Sequence, residues 1–235
     1  MTSTLKPQPD RLYGRARGHA LRPRQRELLE QALPRLAVRD PADPLGAFGA
    51  PPPWLWLEVG FGSGEHALAQ IAAHPRTGLI ACEVFENGIA ALLSRLVPEG
   101  ADPLTAKLPD NLRVWPDDAR ALLRAMPPAS LEGLVLLFPD PWPKARHAKR
   151  RFVHPALLPV LARVMRPGAE WRIASDDPTY QDWVRTVMAE QDAFAPDGVF
   201  DARPDLWPPT RYEAKAVAAG RRPRWWRFRR TATPA

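Results

Sequence analysis

Short apolar runs alternate with amphipathic stretches from residue 54 almost to the end of the chain, and this alternation is the strongest constraint on the fold. The runs have the length of buried strands, and the stretches between them carry apolar residues at helical spacing. Repeated strand–helix units predict an α/β fold in which a mostly parallel sheet is covered by helices on both faces. The predicted strands are Trp54–Val59, Gly78–Val84, Leu112–Trp115, Leu131–Phe138, Glu170–Ala174 and an edge strand, Arg224–Arg229; the predicted helices are Glu65–Ala73, Gly88–Leu96, Ala119–Ala125, Pro155–Met165 and Thr179–Glu190.

The chain divides into two unequal parts. Residues 1–53 comprise a basic arm, a first amphipathic helix over 22–37 and a linker rich in proline and glycine. Residues 54–235 form the main domain and end in a basic segment. A length of 235 residues with 45% hydrophobic content suits one large domain with additions at its ends.

Cysteine content and hydropathy exclude several classes of protein. The single cysteine, Cys82, leaves no disulfide framework and no cysteine zinc site within one chain, and no metal site is expected. No stretch approaches the roughly 18 consecutive apolar residues of a membrane span, and residues 1–6 lack the apolar core of a signal peptide. We therefore expect a cytoplasmic protein that does not enter a membrane.

The basic residues are concentrated in three segments, 11–26, 144–151 and 221–230, which hold 17 of the 33 lysines and arginines. The region between residues 40 and 140 is acidic by comparison. Clustered cations gain affinity for a phosphate backbone through counterion release, so nucleic acid is the leading partner. The aromatic residues in 221–230 are compatible with base stacking, but Trp225 and Phe228 would equally suit a core position.

A glycine-rich turn follows the first predicted strand and precedes a helix. Its spacing, G-x-G-x-G over Gly60, Gly62 and Gly64, differs from the dinucleotide fingerprint G-x-G-x-x-G, and Glu58 stands just before it. A carboxylate there disfavours pyrophosphate and suits a cationic ligand such as the amino group of S-adenosylmethionine. Glu83, at the end of the second strand, is placed to accept hydrogen bonds from ribose hydroxyls, and Asp118 after the third strand to accept from the adenine amine. The sequence therefore predicts S-adenosylmethionine as cofactor.

Residues 138–151 read FPDPWPKARHAKRR, a carboxylate between prolines followed at once by a cationic run. Asp140 should emerge at the carboxyl end of the fourth predicted strand, where open α/β sheets bind their ligands. The prolines stiffen this segment because they fix φ and remove donors. The cations that follow are predicted to bind phosphates near the target: Lys144, Arg146, His147, Lys149, Arg150 and Arg151.

At these residues the chain resembles the bacterial tRNA (guanine-N7)-methyltransferases of the TrmB family, from about Leu12 to Arg230. Residues 138–151 are similar to the family's F-P-D-P-W-x-K-x-R-H-x-K-R-R signature, and residues 58–64 to its E-x-G-F-G-x-G. Further likenesses lie at 81–84, at 118–119, at 175–176 and at 210–213. The resemblance implies the class I methyltransferase fold, Rossmann-like with a mostly parallel seven-stranded sheet.

The resemblance also implies a reaction and a set of site residues. The expected product is 7-methylguanine at the tRNA variable-loop position conventionally called 46, with S-adenosylmethionine as methyl donor. Cofactor contacts are implied at Glu58, Glu83, Asp118 and Asp140, and Asp140 is also treated as catalytic. Guanine or tRNA contacts are implied at Lys144, Asp176, Thr210, Arg211, Tyr212 and Glu213.

Guanine N7 carries a lone pair and no proton, so its methylation needs no general base. Positive charge develops on the guanine ring, and we expect Asp140, Asp176 and Glu213 to stabilise it. For Asp176 a helix N-cap is an equally suitable role. An enzyme that methylates exocyclic amines of nucleic acid, an NAD-linked oxidoreductase and a catalytically silent RNA-binding module are the alternatives, and both a monomer and a homodimer are compatible with the sequence.

Overall fold

The computed structural model describes residues 18–232, so most of the basic arm and the last three residues lie outside it. In the described part, seven strands form one sheet and eight α-helices pack around it. The strands are β1 Trp54–Val59, β2 Thr77–Cys82, β3 Leu112–Trp115, β4 Leu131–Leu137, β5 Met165–Ser175, β6 Phe194–Phe200 and β7 Arg224–Arg230. The helices are α1 Pro23–Gln31, α2 Leu33–Leu36, α3 Glu65–Ala73, α4 Glu86–Leu96, α5 Ala119–Ala125, α6 Leu158–Val164, α7 Pro178–Ala189 and α8 Arg211–Ala218, and a 3-10 helix spans Ala145–Arg150.

The strand order is β3-β2-β1-β4-β5-β7-β6. Strands β1 to β5 pair in parallel, and β7 is antiparallel to both β5 and β6. The mostly parallel seven-stranded sheet expected from the sequence is confirmed. Because the chain runs outward from β1 to β2 on one side and returns beside β1 with β4 on the other, the topological switch point lies between β1 and β4, which is where such sheets bind ligands.

Helices cover both faces of the sheet, as predicted. One face packs against α5, α6 and α7 around a core that includes Leu57, Leu134 and Ile173. On the other face, α1, α3 and α4 cover β2 and β3 through residues such as Leu28 and Leu92. The strands in the middle of the sheet are buried from both sides, which explains why they read as continuous apolar runs rather than as alternating ones.

Three local predictions were wrong in detail. The helix expected over 22–37 is interrupted at Ala32, because Pro34 has no N–H to continue the hydrogen-bond ladder. Strand β7 is an inner strand rather than an edge strand, since β6 pairs with its far side. Strand β6 was not expected, because Pro196 and Gly198 lie within it; the register shifts between them, and an edge position tolerates both.

The linker predicted after the first helix has no regular secondary structure between residues 40 and 53. It is nevertheless anchored, because Phe48 is buried in the main core and Ala37 pairs with Val114 of β3. Among residues 18–232, no helix is both long and apolar enough to cross a membrane.

Candidate active site

A cavity of about 560 Å³ opens at the carboxyl ends of β1, β2 and β4. Its volume lies within the roughly 300–1,000 Å³ typical of small-molecule sites. Eight residues predicted from the sequence line it together: Gly60, Gly62, Glu83, Asp118, Asp140, Arg150, Arg211 and Tyr212. The structure therefore joins the glycine turn, the acids that follow β2, β3 and β4, and the start of α8 into one site.

The glycine turn after β1 has a backbone that side chains would disturb. Gly60 and Gly62 have φ values of 75° and 61°, in the left-handed region. The turn packs so closely on α4 that a Cβ on Gly88 would clash with the carbonyl oxygen of Gly62. Gly88 also lines the cavity, a role that the sequence analysis missed although a glycine near a predicted helix start is a usable signal.

The carboxylate of Glu83 organises this end of the cavity. Its Oε2 accepts from the N–H of Gly62 at 2.8 Å, and its Oε1 accepts from the N–H groups of Val84 (2.8 Å) and Phe85 (3.0 Å). Burial raises the pKa of Glu83, the three N–H bonds oppose that change, and the nearby charge of Asp140 adds to it. Each carboxylate oxygen has more than one acceptor direction, so Glu83 can hold the turn and still accept from a ligand.

Asp118 occupies the corresponding place after β3. It is the N-cap of α5, with its Oδ1 accepting from the N–H of Arg120 at 2.9 Å. Its Oδ2 lies 3.0 Å from Nη1 of Arg120, whose Nη2 donates to the carbonyl of Arg150 at the end of the 3-10 helix. Arg120 itself lines the cavity. The acid proposed to meet adenine is thus connected to the basic segment through one buried guanidinium, a link that no sequence pattern signals.

Asp140 follows β4 and is exposed at the mouth of the cavity. The backbone around it is unusual, because Phe138 and Trp142 have φ values of 52° and 43° although neither is glycine. Such conformations cost roughly 1–3 kcal/mol each and persist only where the surroundings fix them. The ring of Trp142 also lines the cavity, with the guanidinium carbon of Arg150 4.7 Å from its centroid.

Two of the predicted cofactor residues do not line the cavity. Glu58 is buried under the turn, and its Oε2 lies 2.9 Å from Nδ1 of His66. Gly64 begins α3 with a φ of 82°, and a Cβ there would lie 2.5 Å from Leu92. Both residues shape the turn from behind, and direct contact with a cofactor stays a prediction for them.

Four predicted substrate residues also lie outside the cavity. Lys144 is an exposed residue just before the 3-10 helix. Thr210 caps α8 by accepting from the N–H of Glu213, whose carboxylate pairs with Arg203 at 3.0 Å. Asp176 pairs with Arg221. The N-cap of α7 is its neighbour Asp177, which accepts from the N–H of Tyr180, so the capping role considered for Asp176 was wrong.

The basic segments divide into exposed and buried residues. Lys144, Arg146 and Lys149 are exposed, as phosphate contacts require, whereas Arg151 is buried within the protein and was wrongly grouped with them. In the C-terminal segment Trp225, Trp226 and Phe228 are buried in β7, so these rings are core residues and do not stack on bases. No group of three or more histidine, cysteine, aspartate or glutamate side chains is arranged to hold a metal within residues 18–232.

Comparison with known proteins matches this chain to one family model and to named relatives. The family model described as "Putative methyltransferase" matches residues 53–224. The tRNA (guanine-N(7)-)-methyltransferase of Granulibacter bethesdensis is 65% identical over 225 residues, covering 96% of this chain and 97% of that protein. The protein of the same name from Rhodospirillum rubrum is 45% identical, covering 96% of this chain and 90% of that protein.

Solved structures share the fold at low sequence identity. The 16S rRNA methyltransferase KamB superposes with a TM-score of 0.55 at 17% identity, covering 77% of this chain and 89% of that one. A variant of the 16S rRNA (adenine(1408)-N(1))-methyltransferase from Catenulisporales acidiphilia, solved with the cosubstrate SAM, has the same TM-score at 15% identity and covers 87% of this chain and 98% of that one. At these identities the likeness extends to the fold alone.

Proposed function

The chain belongs to the tRNA (guanine-N7)-methyltransferase family, and we propose that it methylates guanine 46 of the tRNA variable loop at the cavity bordered by Asp140. The enzyme transfers a methyl group from S-adenosylmethionine to N7 of guanine in tRNA. The observation that carries the proposed site is the meeting of the glycine turn, Glu83 and Asp140 at the switch point between β1 and β4. This is the position at which open α/β sheets bind ligands.

The residues around the cavity fit S-adenosylmethionine, which supplies the methyl group as a sulfonium. Glu83 would accept from the ribose hydroxyls and Asp118 from the adenine amine, since both carboxylates line the cavity. The amino-acid end would lie against the glycine turn, of which Gly60, Gly62 and Ser63 line the cavity. Glu58 would act there through the turn that it supports, and Asp140 would stand between cofactor and guanine.

The chemistry that Asp140 has to support is modest. The N7 lone pair forms the new bond to carbon as the carbon–sulfur bond breaks, and no proton is transferred. Alignment of the base therefore supplies much of the rate. Positive charge moves from sulfur to the guanine ring, and a fixed carboxylate at the cavity mouth stabilises that charge more in the transition state than in the neutral base. Asp140 acts as an electrostatic and orienting group, not as a base.

The tRNA would approach across the exposed cations on both sides of the cavity mouth. Lys144, Arg146 and Lys149 lie on the Asp140 side, and Arg211 lies on the α8 side. Thr210 and Glu213 set the start of α8 and so bring Arg211 and Tyr212 to the cavity. Asp176 remains a proposed guanine contact beside Arg221. Because tRNA is the substrate, we place the enzyme in the cytoplasm. We propose that it acts as a monomer or a homodimer.

Product chemistry tests the proposal directly. Unmodified tRNA is incubated with methyl-labelled S-adenosylmethionine and the protein, then treated with borohydride and aniline, which break the strand at 7-methylguanine. We expect a single break at guanine 46. Label without strand breakage would contradict methylation at N7, and locating that label on an exocyclic amine would support the alternative enzyme class. A break elsewhere would contradict the variable-loop site. Binding of tRNA without labelling would indicate a silent RNA-binding module.

A further inference from the structure

The last arginine of the basic run has a different environment from its exposed neighbours. Arg151 is 4% exposed, and its guanidinium faces the protein interior. Its Nε donates to the carbonyl oxygen of Pro141 at 3.1 Å, and its Nη2 donates to that of Trp142 at 3.0 Å. One planar side chain therefore binds two successive carbonyls of the segment that carries Asp140.

The segment has few means of holding its own shape. Pro139, Pro141 and Pro143 have no N–H groups, so between residues 139 and 143 only Asp140 and Trp142 can donate main-chain hydrogen bonds. Trp142 adopts a φ of 43°, a conformation that a bulky residue keeps only when its surroundings enforce it. The guanidinium of Arg151 supplies two donors to this segment, from which the prolines remove three.

Arg151 is itself held in place from the opposite side. Its guanidinium carbon lies 4.7 Å from the ring centroid of Trp183 on α7, and the indole N–H of Trp183 donates to the carbonyl of Val153. Burial lowers the pKa of Arg151, and the nearby Tyr180 and Asp177 oppose that change. Arg151 nevertheless keeps its charge, because a guanidinium does not lose its proton in a protein. The contacts therefore run from α7 through Arg151 to the backbone on either side of the Pro141–Trp142 bond.

We propose that Arg151 is a positioning residue for methyl transfer, which holds the Asp140–Trp142 turn in its reactive conformation through the carbonyls of Pro141 and Trp142. It contacts neither tRNA nor cofactor. Its effect reaches the reaction through two groups at the cavity, the carboxylate of Asp140 and the ring of Trp142. The inference rests on the proposed function, because it assigns Asp140 a place beside the reacting atoms.

The geometry also accounts for the residue type. A guanidinium presents donors in a fixed fork that matches two neighbouring carbonyls, whereas an ammonium is a single point with rotating donors. Lysine at position 151 would keep the charge of the basic run but not the paired contact. If Arg151 bound phosphate, the lysine variant would retain much of its function, so Arg151→Lys separates the two roles.

The test compares Arg151→Lys with a matched change on the same run, Arg146→Lys, using purified protein and tRNA. For Arg151→Lys we expect kcat to fall by tenfold or more while KM for tRNA stays within about threefold and the thermal midpoint stays within a few degrees. For Arg146→Lys we expect any effect to appear in KM for tRNA. A raised KM with unchanged kcat in Arg151→Lys, or wild-type kinetics, would overturn the proposal.

Rescue with a small molecule separates positioning from a general loss of folding. In Arg151→Ala the guanidinium site is vacated, and guanidinium ion at low millimolar concentration should restore kcat at least severalfold without raising the activity of the wild-type enzyme. Lost activity that tracks a lowered thermal midpoint and is not rescued would mean a merely structural role. If Arg151→Ala does not fold, the Arg151→Lys kinetics decide alone.

Wild-type enzyme assayed in parallel must yield the aniline-sensitive product. Absence of that product would count against the proposed function, not against the role of Arg151.

Discussion

The ring of Tyr212 lies directly over Gly62, with Cε2 of the tyrosine 3.2 Å from the point where a Cβ on the glycine would stand. This contact places the start of α8, near the end of the chain, against the glycine turn that follows β1. Tyr212 and Gly62 both line the cavity, so α8 forms part of its wall. Residues proposed for tRNA and residues proposed for the cofactor therefore touch before either ligand binds.

Gly62→Ala should weaken binding of S-adenosylmethionine by about tenfold or more. The new methyl group would have to displace Tyr212 and would impose a left-handed φ of 61° on alanine, at roughly 1 kcal/mol or more. Isothermal titration calorimetry measures the change. Gly100→Ala is the matched control, since Gly100 has a φ of 82° but has no atom within 4 Å of the point where its Cβ would stand, and it lies outside the cavity lining. Equal affinity loss in both variants would contradict the role of the Tyr212 contact.

The affinity for S-adenosylmethionine should fall as the pH is lowered through the raised pKa of Glu83, which lies above the ordinary value of 4.5. Only the carboxylate can accept from the turn and from ribose hydroxyls at once. Stability changes in the opposite direction: the folded state binds this proton more readily than the unfolded chain, so Glu83 lowers the free energy of unfolding as the pH rises through the same window.

Calorimetry at several pH values above 4.5 would detect the binding effect. Glu83→Gln should bind the cofactor more weakly, because the amide offers one acceptor oxygen in place of two, and its affinity should vary less with pH. A variant with the pH profile of the wild type would show that Glu83 is not the group responsible.

Arg203→Gln should lower the free energy of unfolding by about 1 kcal/mol, or roughly 2–4 °C in thermal midpoint, because it leaves the partly buried carboxylate of Glu213 without its cation. Arg185→Gln is the control, since its pair with Asp182 is largely exposed and should contribute little. Urea unfolding of both variants gives the comparison. A loss at Arg185 as large as that at Arg203 would contradict the anchoring of α8 through Glu213.

Much of the architecture was predictable because buried parallel strands are marked by their composition. The strands before Gly60 and before Phe138 stand out as apolar runs. Because these strands are parallel, the residues that follow them lie at the same edge of the sheet. Strand β6 could not be found in this way, because Pro196 and Gly198 both disfavour a strand locally. It forms because β7 pairs with it, and that pairing is not visible in the local sequence.

The site was predictable to the extent that it depends on strand ends. Glu83, Asp118 and Asp140 follow successive strands and do meet at one cavity. What the sequence could not provide is the direction of each side chain. Glu58 and Arg151 look like ligand-facing charges in the sequence, yet both are buried and hydrogen-bonded to other groups of the protein. Tertiary contacts decide whether a charged side chain points to solvent or to the interior.

Asp140→Asn should reduce kcat by about a hundredfold or more, because the loss of a fixed negative charge beside a developing cation acts on the transition state. The side chain is exposed, so the thermal midpoint should change by no more than about 1–2 °C. Single-turnover methyl transfer to tRNA measures the effect apart from product release. Asp205→Asn, an exposed acid outside the cavity lining, is the control and should retain the wild-type rate. Because no proton is transferred, the residual rate of Asp140→Asn should show no new dependence on pH; transfer at near wild-type rate would remove Asp140 from the mechanism.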